Sequence, residues 1–145
     1  MSESVKRNKE LKNIEEEIFR LKMENDSINN YISSEYGFWY YYKEKDTMNN
    51  KFVTTGDEVI FSYEVRNLND SIIYSKEELG DKNYLVDKEE LITGLQEGIK
   101  LMKEGEVVVF LFPSYKAYGY TGDERIGTNE PLIYIVQLKK IINKN

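Results

Sequence analysis

The sequence contains neither histidine nor cysteine among its 145 residues. Their absence excludes cysteine and histidine nucleophiles, histidine general bases, disulfide bonds and the usual zinc sites. No apolar run approaches the roughly 20 residues that a membrane-spanning helix needs. Nor does the sequence show the export-signal pattern of a charged start followed by an apolar core and a small-residue cleavage site. We therefore expect no membrane insertion by this chain, while the lack of cysteine leaves the redox compartment open.

Basic residues are outnumbered, with 20 Lys and Arg against 26 Asp and Glu, for a net charge of −6. Such a balance argues against a phosphate-binding surface, so we expect no nucleic-acid partner. The length has room for one ordinary domain and an appendage. Tyrosine is abundant, with 12 residues. Its apolar ring with one polar tip suits both a barrel interior and a half-wet peptide-binding cleft, and composition leaves both interpretations open.

The first 36 residues form a segment of their own, rich in Glu, Lys and Asn and without glycine or proline. Apolar residues recur there at spacings of three and four, which predicts an amphipathic helix. One heptad position holds Leu11, Ile18, Asn25 and Ile32, and the other holds Ile14, Leu21 and Ile28. A seam with a lone Asn is typical of a dimerising coiled coil, and a helix lying against its own domain fits equally well. We assign a second domain to residues 37–145.

Alternating apolar and polar residues predict several strands after Gly37. The aromatic run 38–42 favours a strand that places its even-numbered residues on one face. The alternation over residues 59–66 predicts a half-buried strand. Residues 72–75 and 83–86 predict two shorter strands.

A short helix and two apolar strands complete the predicted architecture. Thr93, with Gln96 three residues later, has the pattern of a capping box. We expect a helix of about ten residues from this cap, ended by Gly105 in the left-handed conformation. Residues 107–112 and 132–138 predict two strands separated by a long loop. Mostly antiparallel strands around one short helix define an α+β fold.

The motifs between Gly56 and Leu138 occur in the order found in a known family. In chain order they are Gly56-Asp57-Glu58-Val59, Tyr63, Leu91-Ile92-Thr93-Gly94-Leu95-Gln96-Glu97-Gly98, Met102, Gly105-Glu106, Ala117-Tyr118-Gly119 and Leu132-Ile133-Tyr134. This stretch resembles the FKBP-type peptidyl-prolyl cis-trans isomerases. The resemblance implies a twisted antiparallel half-barrel wrapped on one short helix. It also implies an isomerase that accelerates X-Pro bond rotation in client polypeptides without a cofactor.

The same resemblance implies which residues form the site. Tyr118 would direct its hydroxyl at one substrate carbonyl, and the backbone N–H of Ile92 would bond another. Tyr63 and Tyr134 would supply ring walls, which completes the expected catalytic set. The expected substrate-binding residues are Tyr74, Ser75, Leu91, Leu95 and Ile126. No metal ligand is implied.

Three positions depart from the family pattern. Leu95 stands where the family usually has Trp, Ser75 where it often has Asp, and Ile126-Gly127-Thr128 where it usually has Ile-Pro-Pro. Leu offers less ring-stacking area, Ser removes a carboxylate that would polarise the site, and fewer prolines make the rim more mobile. Two alternatives to an isomerase therefore stay open. One is a proline-peptide-binding chaperone module with weak or no isomerase activity, and the other is an assembly protein that works through its N-terminal helix.

The N-terminal part carries a narrower resemblance. A Glu/Lys/Asn-rich helix followed by Gly37-Phe38-Trp39-Tyr40 resembles the gliding-motility-associated isomerase lipoproteins. It implies a cell-envelope or periplasmic location. The lipid anchor is expected in a longer precursor, because the chain as given has no export signal and no Cys.

The family resemblance further implies binding of macrolide inhibitors. We interpret Asp123-Glu124 in the long loop as a solvated loop tip rather than a carboxylate pair or a metal site.

Overall fold

The computed structural model describes residues 2–142, which contain three α-helices and seven strands. The helices are α1 (Glu3–Glu24), α2 (Lys76–Leu79) and α3 (Thr93–Gly98). The strands are β1 (Ile32–Ser33), β2 (Trp39–Glu44), β3 (Glu58–Arg66), β4 (Ile72–Tyr74), β5 (Lys82–Leu85), β6 (Val107–Phe112) and β7 (Leu132–Ile142). Two 3₁₀ turns follow α3 and β6, at Ile99–Leu101 and Ser114–Lys116.

All seven strands belong to one antiparallel sheet in the order β1-β2-β6-β7-β3-β4, with β5 paired to β3. The two longest strands, β3 and β7, pair along their length, from Glu58 opposite Ile142 to Arg66 opposite Ile133. This architecture confirms the predicted α+β class. Each strand predicted after Gly37 is present, and no bound is shifted by more than four residues.

The sheet separates two apolar layers, and β6 contributes to both. Phe110 and Phe112 lie in the main core beneath α3, while Val109 and Leu111 belong to a smaller apolar cluster on the opposite face. A strand covered on both faces is apolar throughout instead of alternating. That double coverage explains the unbroken apolar run 107–112.

The aromatic residues around the start of β2 divide between the two layers as their alternation predicts. Phe38 and Tyr40 are buried in the main core, and Tyr42 packs against it. Trp39 and Tyr41 pack in the smaller cluster on the other face. The period of two along a strand accounts for this division.

Helix α1 packs against the outer face of its own sheet. Phe19 is fully buried there, with its ring centroid 5.6 Å from that of Trp39.

The helix is shorter than the predicted 36-residue segment and ends at Glu24. The Asp26 carboxylate then accepts a hydrogen bond from the Ile28 N–H at 3.0 Å, a turn that draws the chain out of the helix. The later seam isoleucines therefore lie outside α1.

Three seam residues inside α1 face away from the domain, while Leu11 is partly buried. Ile14, Ile18 and Leu21 are 57%, 41% and 48% exposed, whereas Glu15 and Phe19 on the opposite side are buried. Of the two alternatives for this helix, the structure shows the packing against its own domain. An apolar stripe remains on the outer side of the same helix.

The start of α3 differs from the predicted capping box. Ile92 is the N-cap residue, and no side chain caps the helix. The Ile92 carbonyl accepts hydrogen bonds from the amides of Leu95 and Gln96, both at 3.1 Å. Because Ile92 has the extended backbone of an N-cap, with φ −57° and ψ 145°, Thr93 falls inside the helix and its hydroxyl is no longer placed to cap. The Gln96 side chain instead donates to the Glu89 carbonyl at 3.5 Å.

Two glycines allow α3 to approach the sheet closely. A Cβ atom at Gly94 would lie 2.6 Å from Cδ1 of Phe112, and one at Gly98 would lie 2.7 Å from Cε1 of Phe110. The two phenylalanine rings are themselves stacked, with centroids 5.2 Å apart. The glycine spacing therefore sets the height of α3 above the sheet, and with it the position of Leu95 between them.

Candidate functional site

Two tyrosine rings on neighbouring strands form one wall of the candidate site. Tyr63 on β3 and Tyr134 on β7 stack with centroids 5.5 Å apart and planes inclined by 7°. Val65 lies opposite Tyr134, and Tyr63 lies opposite Val136, so the two tyrosines are diagonal neighbours on one face of the pair. Phe112 supports this wall, with its ring centroid 5.2 Å from that of Tyr134.

Tyr118 lies beside this wall, in the loop after β6. Burial raises the pKa of Tyr134 well above its usual range, and the neighbouring Tyr118, which is hydrogen-bonded to it, raises that pKa further. Burial also raises the pKa of Tyr63, and Tyr118, Tyr74 and Asp123 add to that rise. Tyr74 on β4 lies opposite Val65, the residue that also lies opposite Tyr134, so Tyr63, Tyr74 and Tyr134 share one face of the sheet. Tyr118 packs against the core that contains Tyr134.

Backbone hydrogen bonds hold the loop that carries Tyr118. The amides of Ala117 and Gly119 both donate to the carbonyl of Ser114, at 3.0 and 2.9 Å. The Asn129 amide donates to the Gly119 carbonyl at 2.8 Å, which joins the two ends of the loop. Gly119 has a φ of 57°, a left-handed backbone that glycine adopts without a steric cost. Tyr118 is thus presented from a closed and hydrogen-bonded loop.

Aliphatic side chains form the rest of the site. Leu95 is buried in the main core, and Leu91 and Ile92 pack against it while partly exposed. Ile126 is buried in that core, and its backbone pairs with that of Asp123 through hydrogen bonds of 2.9 and 3.2 Å. Its contact with substrate stays a prediction. Within residues 2–142 no acceptor takes the Ile92 N–H. That amide is available to a bound carbonyl.

Polar contacts around Tyr74 close the outer edge of the site. Its hydroxyl donates to Oδ1 of Asp123 at 2.9 Å, and the Arg125 guanidinium lies 4.6 Å from its ring centroid. Arg125 also donates to the Ile73 carbonyl and to Glu78, both at 2.9 Å. Asp123 is exposed, as expected of a solvated loop tip, and its carboxylate also ties the long loop to β4 through Tyr74.

Sequence reasoning missed these two loop residues as parts of the site. The contacts of Asp123 with Tyr74 and of Arg125 with Ile73 span 49 and 52 residues of chain. Neither residue belongs to a periodic pattern or to a family motif, so the sequence offered no signal for the pairing. Their geometry became visible only once the loop was folded over β4.

Ser75 has a structural role that sequence reasoning also missed. It is the N-cap of α2, where its hydroxyl accepts from the Glu78 N–H at 3.2 Å and Glu78 Oε1 accepts from the Ser75 N–H at 2.9 Å. The Ser-x-x-Glu pattern was the available signal for this capping box. Substrate binding by Ser75 stays a prediction, because its hydroxyl is engaged in the cap.

The site is suited to holding an amide rather than to moving protons. A phenol with the ordinary pKa of about 10 is neutral near pH 7, and the pKa values of Tyr63, Tyr74 and Tyr134 are raised further. These hydroxyls are therefore able to donate hydrogen bonds beside apolar rings. Among residues 2–142 no three acidic side chains are grouped to bind a metal ion. In the same range no helix is long and apolar enough to cross a membrane.

Comparison with known proteins supports the resemblance seen in the motifs. The family model described as FKBP-type peptidyl-prolyl cis-trans isomerase matches residues 49–139. The chain belongs to this family. It is 34% identical over 89 residues to the probable FKBP-type peptidyl-prolyl cis-trans isomerase FkpA of Neisseria meningitidis, a match that covers 61% of this chain and 32% of that protein. The chain thus spans about a third of this relative.

Two solved structures share the fold. The crystal structure of FkpA from Escherichia coli superposes with a TM-score of 0.75 at 20% identity, covering 98% of this chain and 65% of that one. A peptidyl-prolyl cis-trans isomerase from Pseudomonas syringae superposes with a TM-score of 0.73 at 15% identity, covering 93% and 96%. The match to the first includes nearly the whole chain, so α1 lies within the shared architecture. The predicted FKBP-like fold is confirmed.

Proposed function

We propose that this chain is a peptidyl-prolyl cis-trans isomerase that accelerates rotation of X-Pro bonds in client polypeptides. The observation that carries the proposal is the grouping of Tyr63, Tyr74 and Tyr134 on one face of the sheet, with Tyr118 packed against the same core. Ile92 also packs against that core, and no acceptor within residues 2–142 takes its N–H. Membership of the FKBP-type family supports the same reaction.

The reaction needs binding rather than bond breaking. An X-Pro bond rotates over a barrier of about 18–20 kcal/mol because amide resonance is lost in the twisted state. Unaided rotation takes roughly tens to hundreds of seconds. A pocket that binds the twisted amide more tightly than the planar one lowers this barrier. An acceleration of about 10⁶ corresponds to roughly 8 kcal/mol.

Different residues of the site contact the prolyl ring and bind the substrate carbonyls. The ring faces of Tyr63 and Tyr134, with Leu95 beneath, contact the prolyl ring and exclude water. The Tyr118 hydroxyl donates to one substrate carbonyl, and the Ile92 N–H donates to a second. The polypeptide is held on both sides of the rotating bond while the less polar, twisted amide sits between apolar rings.

The test compares Tyr118→Phe with Tyr120→Phe in the same loop. Tyr120 is 79% exposed, so its variant controls for loss of a hydroxyl from this loop. Isomerisation of a proline tetrapeptide series, followed by NMR exchange, should be accelerated by the wild type and by Tyr120→Phe. Tyr118→Phe should lower kcat/KM about 5- to 10-fold, the worth of one directed hydrogen bond. A wild-type rate equal to the spontaneous one, for every residue before proline, would remove the enzyme claim.

A chaperone module with little turnover is the second candidate, favoured by Leu95 and Ser75. Leu95 offers less stacking area than Trp, and the Ser75 hydroxyl serves the α2 cap instead of the site. The double variant Leu95→Trp with Ser75→Asp tests this candidate, and Asp retains the capping ability. A large gain in isomerisation rate would support the chaperone, whereas little change would support a competent enzyme.

A second copy of this chain is the partner we propose for α1. The exposed stripe of Ile14, Ile18 and Leu21 keeps the seam spacing of a coiled coil. Sedimentation of the full chain should show a dimer that Ile18→Lys converts to a monomer. A wild type that is monomeric at all concentrations would refute both the dimer and the assembly-protein alternative that rests on it.

The narrower resemblance to gliding-motility-associated lipoproteins supports a location in the cell envelope or periplasm. Lipid anchoring of a longer precursor belongs to the same proposal, and fractionation with mass spectrometry of the native protein tests both.

The ring-walled site also supports binding of macrolide inhibitors. Calorimetry with a macrolide, using Tyr118→Phe for comparison, measures that affinity.

A further inference from the structure

A buried carboxylate connects α1 to the loop that carries Tyr118. Glu15 on α1 and Ser114 at the end of β6 are both 2% exposed. Oε1 of Glu15 accepts the Ser114 N–H at 2.6 Å, and Oε2 accepts the Ser114 hydroxyl at 2.5 Å. Among the described residues no Lys or Arg forms an ion pair with Glu15. Both carboxylate oxygens are thus directed at one residue.

Ser114 is also the anchor of the backbone on each side of Tyr118. Its carbonyl accepts the amides of Ala117 and Gly119, the residues directly before and after the tyrosine, at 3.0 and 2.9 Å. A displacement of Ser114 therefore shifts both flanks of Tyr118. The chain of hydrogen bonds runs from α1 through Ser114 to the site without a gap.

Helix packing alone does not account for a carboxylate at position 15. Glu15 lies one turn before Phe19 on the same face of α1, where an apolar side chain would pack against the apolar cluster. Burial of a carboxylate without a cation is unfavourable unless hydrogen bonds compensate it. The carboxylate supplies direction, because two acceptors fix both the position and the orientation of Ser114.

We propose that Glu15 is a positioning residue for the isomerase site, so that turnover depends on the docked N-terminal helix. The inference rests on the proposed isomerase function and adds a part of the chain outside the residues matched by the family. Two neighbouring contacts fix the same turn. The Lys12 ammonium lies 5.5 Å from the centroid of the Tyr115 ring. The Lys116 ammonium forms an ion pair of 2.6 Å with the carboxylate of Glu97 on α3.

The test uses Glu15→Gln in the full chain, with Glu10→Gln on an exposed part of the same helix as the matched control. Glu15→Gln keeps the size of the side chain but removes one of the two acceptors. We expect kcat/KM for a proline tetrapeptide to fall about 5-fold or more through kcat, because small misplacements of a catalytic group have large rate effects. Emission from Trp39, the single tryptophan of the chain, should be unchanged, since its contact with Phe19 keeps α1 docked.

A second measurement decides the inference independently of activity. Hydrogen exchange of the Ala117 and Gly119 amides should be faster in Glu15→Gln than in Glu10→Gln. Ser114→Ala should have a similar effect on kcat, and combining it with Glu15→Gln should cost less than the sum of the two. If both variants retain wild-type kcat and wild-type exchange at these amides, the positioning role is wrong. A wild type without isomerase activity would overturn the proposed function, and exchange at the two amides would still decide the role of Glu15.

Discussion

Replacement of Gly94 by alanine tests whether α3 is held at the height that the site requires. The added Cβ would meet three ring atoms of Phe112 at 2.6 to 2.9 Å. That ring has little room to move, because its centroid is 5.1 Å from Phe38, 5.2 Å from Phe110 and 5.2 Å from Tyr134. Helix α3 must therefore rise, or the Tyr134 wall must shift.

Two opposing effects set the size of the change in the free energy of unfolding. Overpacking of a dense core costs about 1–3 kcal/mol, and the enclosed Phe112 ring favours the upper part of that range. Alanine gains about 1 kcal/mol over glycine in helix propensity. We expect Gly94→Ala to be less stable than the wild type by about 1–2 kcal/mol. Propensity alone would predict the opposite sign.

Gly127→Ala is the matched control. At Gly127 an added Cβ has its nearest neighbour, Oε2 of Glu130, at 3.6 Å, an ordinary contact distance. This variant should be stabilised by about 0.4–1 kcal/mol through the unfolded chain. Urea unfolding followed by circular dichroism measures both differences. A Gly94→Ala protein as stable as the wild type would refute the close helix–sheet approach, and with it the account of how the site is spaced.

Two further predictions concern the edge and the wall of the site. Arg125→Gln should leave the unfolding midpoint nearly unchanged, because the ion pair of Arg125 with Glu78 is exposed and such pairs contribute little. The variant should raise KM, because the loop loses its tie to β4. An unchanged KM would contradict that tie. Tyr134→Phe should flatten the alkaline loss of stability. A folded-state pKa above the unfolded value of about 10 contributes stability below pH 10 that is lost as pH rises. The urea midpoint should fall less steeply between pH 9 and 11 in Tyr134→Phe than in the wild type. Equal falls in the two proteins would show that the pKa of Tyr134 does not differ between the folded and unfolded states.

The sequence predicted the parts of the fold whose periodicity is strong. The aromatic run at the start of β2 and the alternation along β3 each indicated a strand, because a period of two is read from neighbouring residues. The length of α1 was overestimated for a related reason. The seam spacing continues through Ile28, while the turn made by Asp26 ends the helix earlier. A local polar competitor outweighed the apolar pattern.

The expected site tyrosines were named from the family resemblance, which does not indicate the contacts that hold them. Asp123 and Arg125 reach their partners across about a third of the chain, and no local rule connects residues at such separations. The link between Glu15 and Ser114 spans 99 residues. In the heptad interpretation Glu15 is simply a polar residue next to the seam, so its burial could not be predicted from spacing.

The sheet itself makes the site and the N-terminal helix parts of one structure. Tyr134 faces the site, and the adjacent Ile133 on β7 packs in the cluster beneath α1. Side chains of successive strand residues point to opposite faces, and packed cores transmit displacements because they contain few voids. A change in how α1 lies on Ile133 therefore acts on the backbone that carries the Tyr134 wall, while Glu15 acts on the loop that carries Tyr118. The Tyr134 wall and the loop that carries Tyr118 therefore both depend on α1.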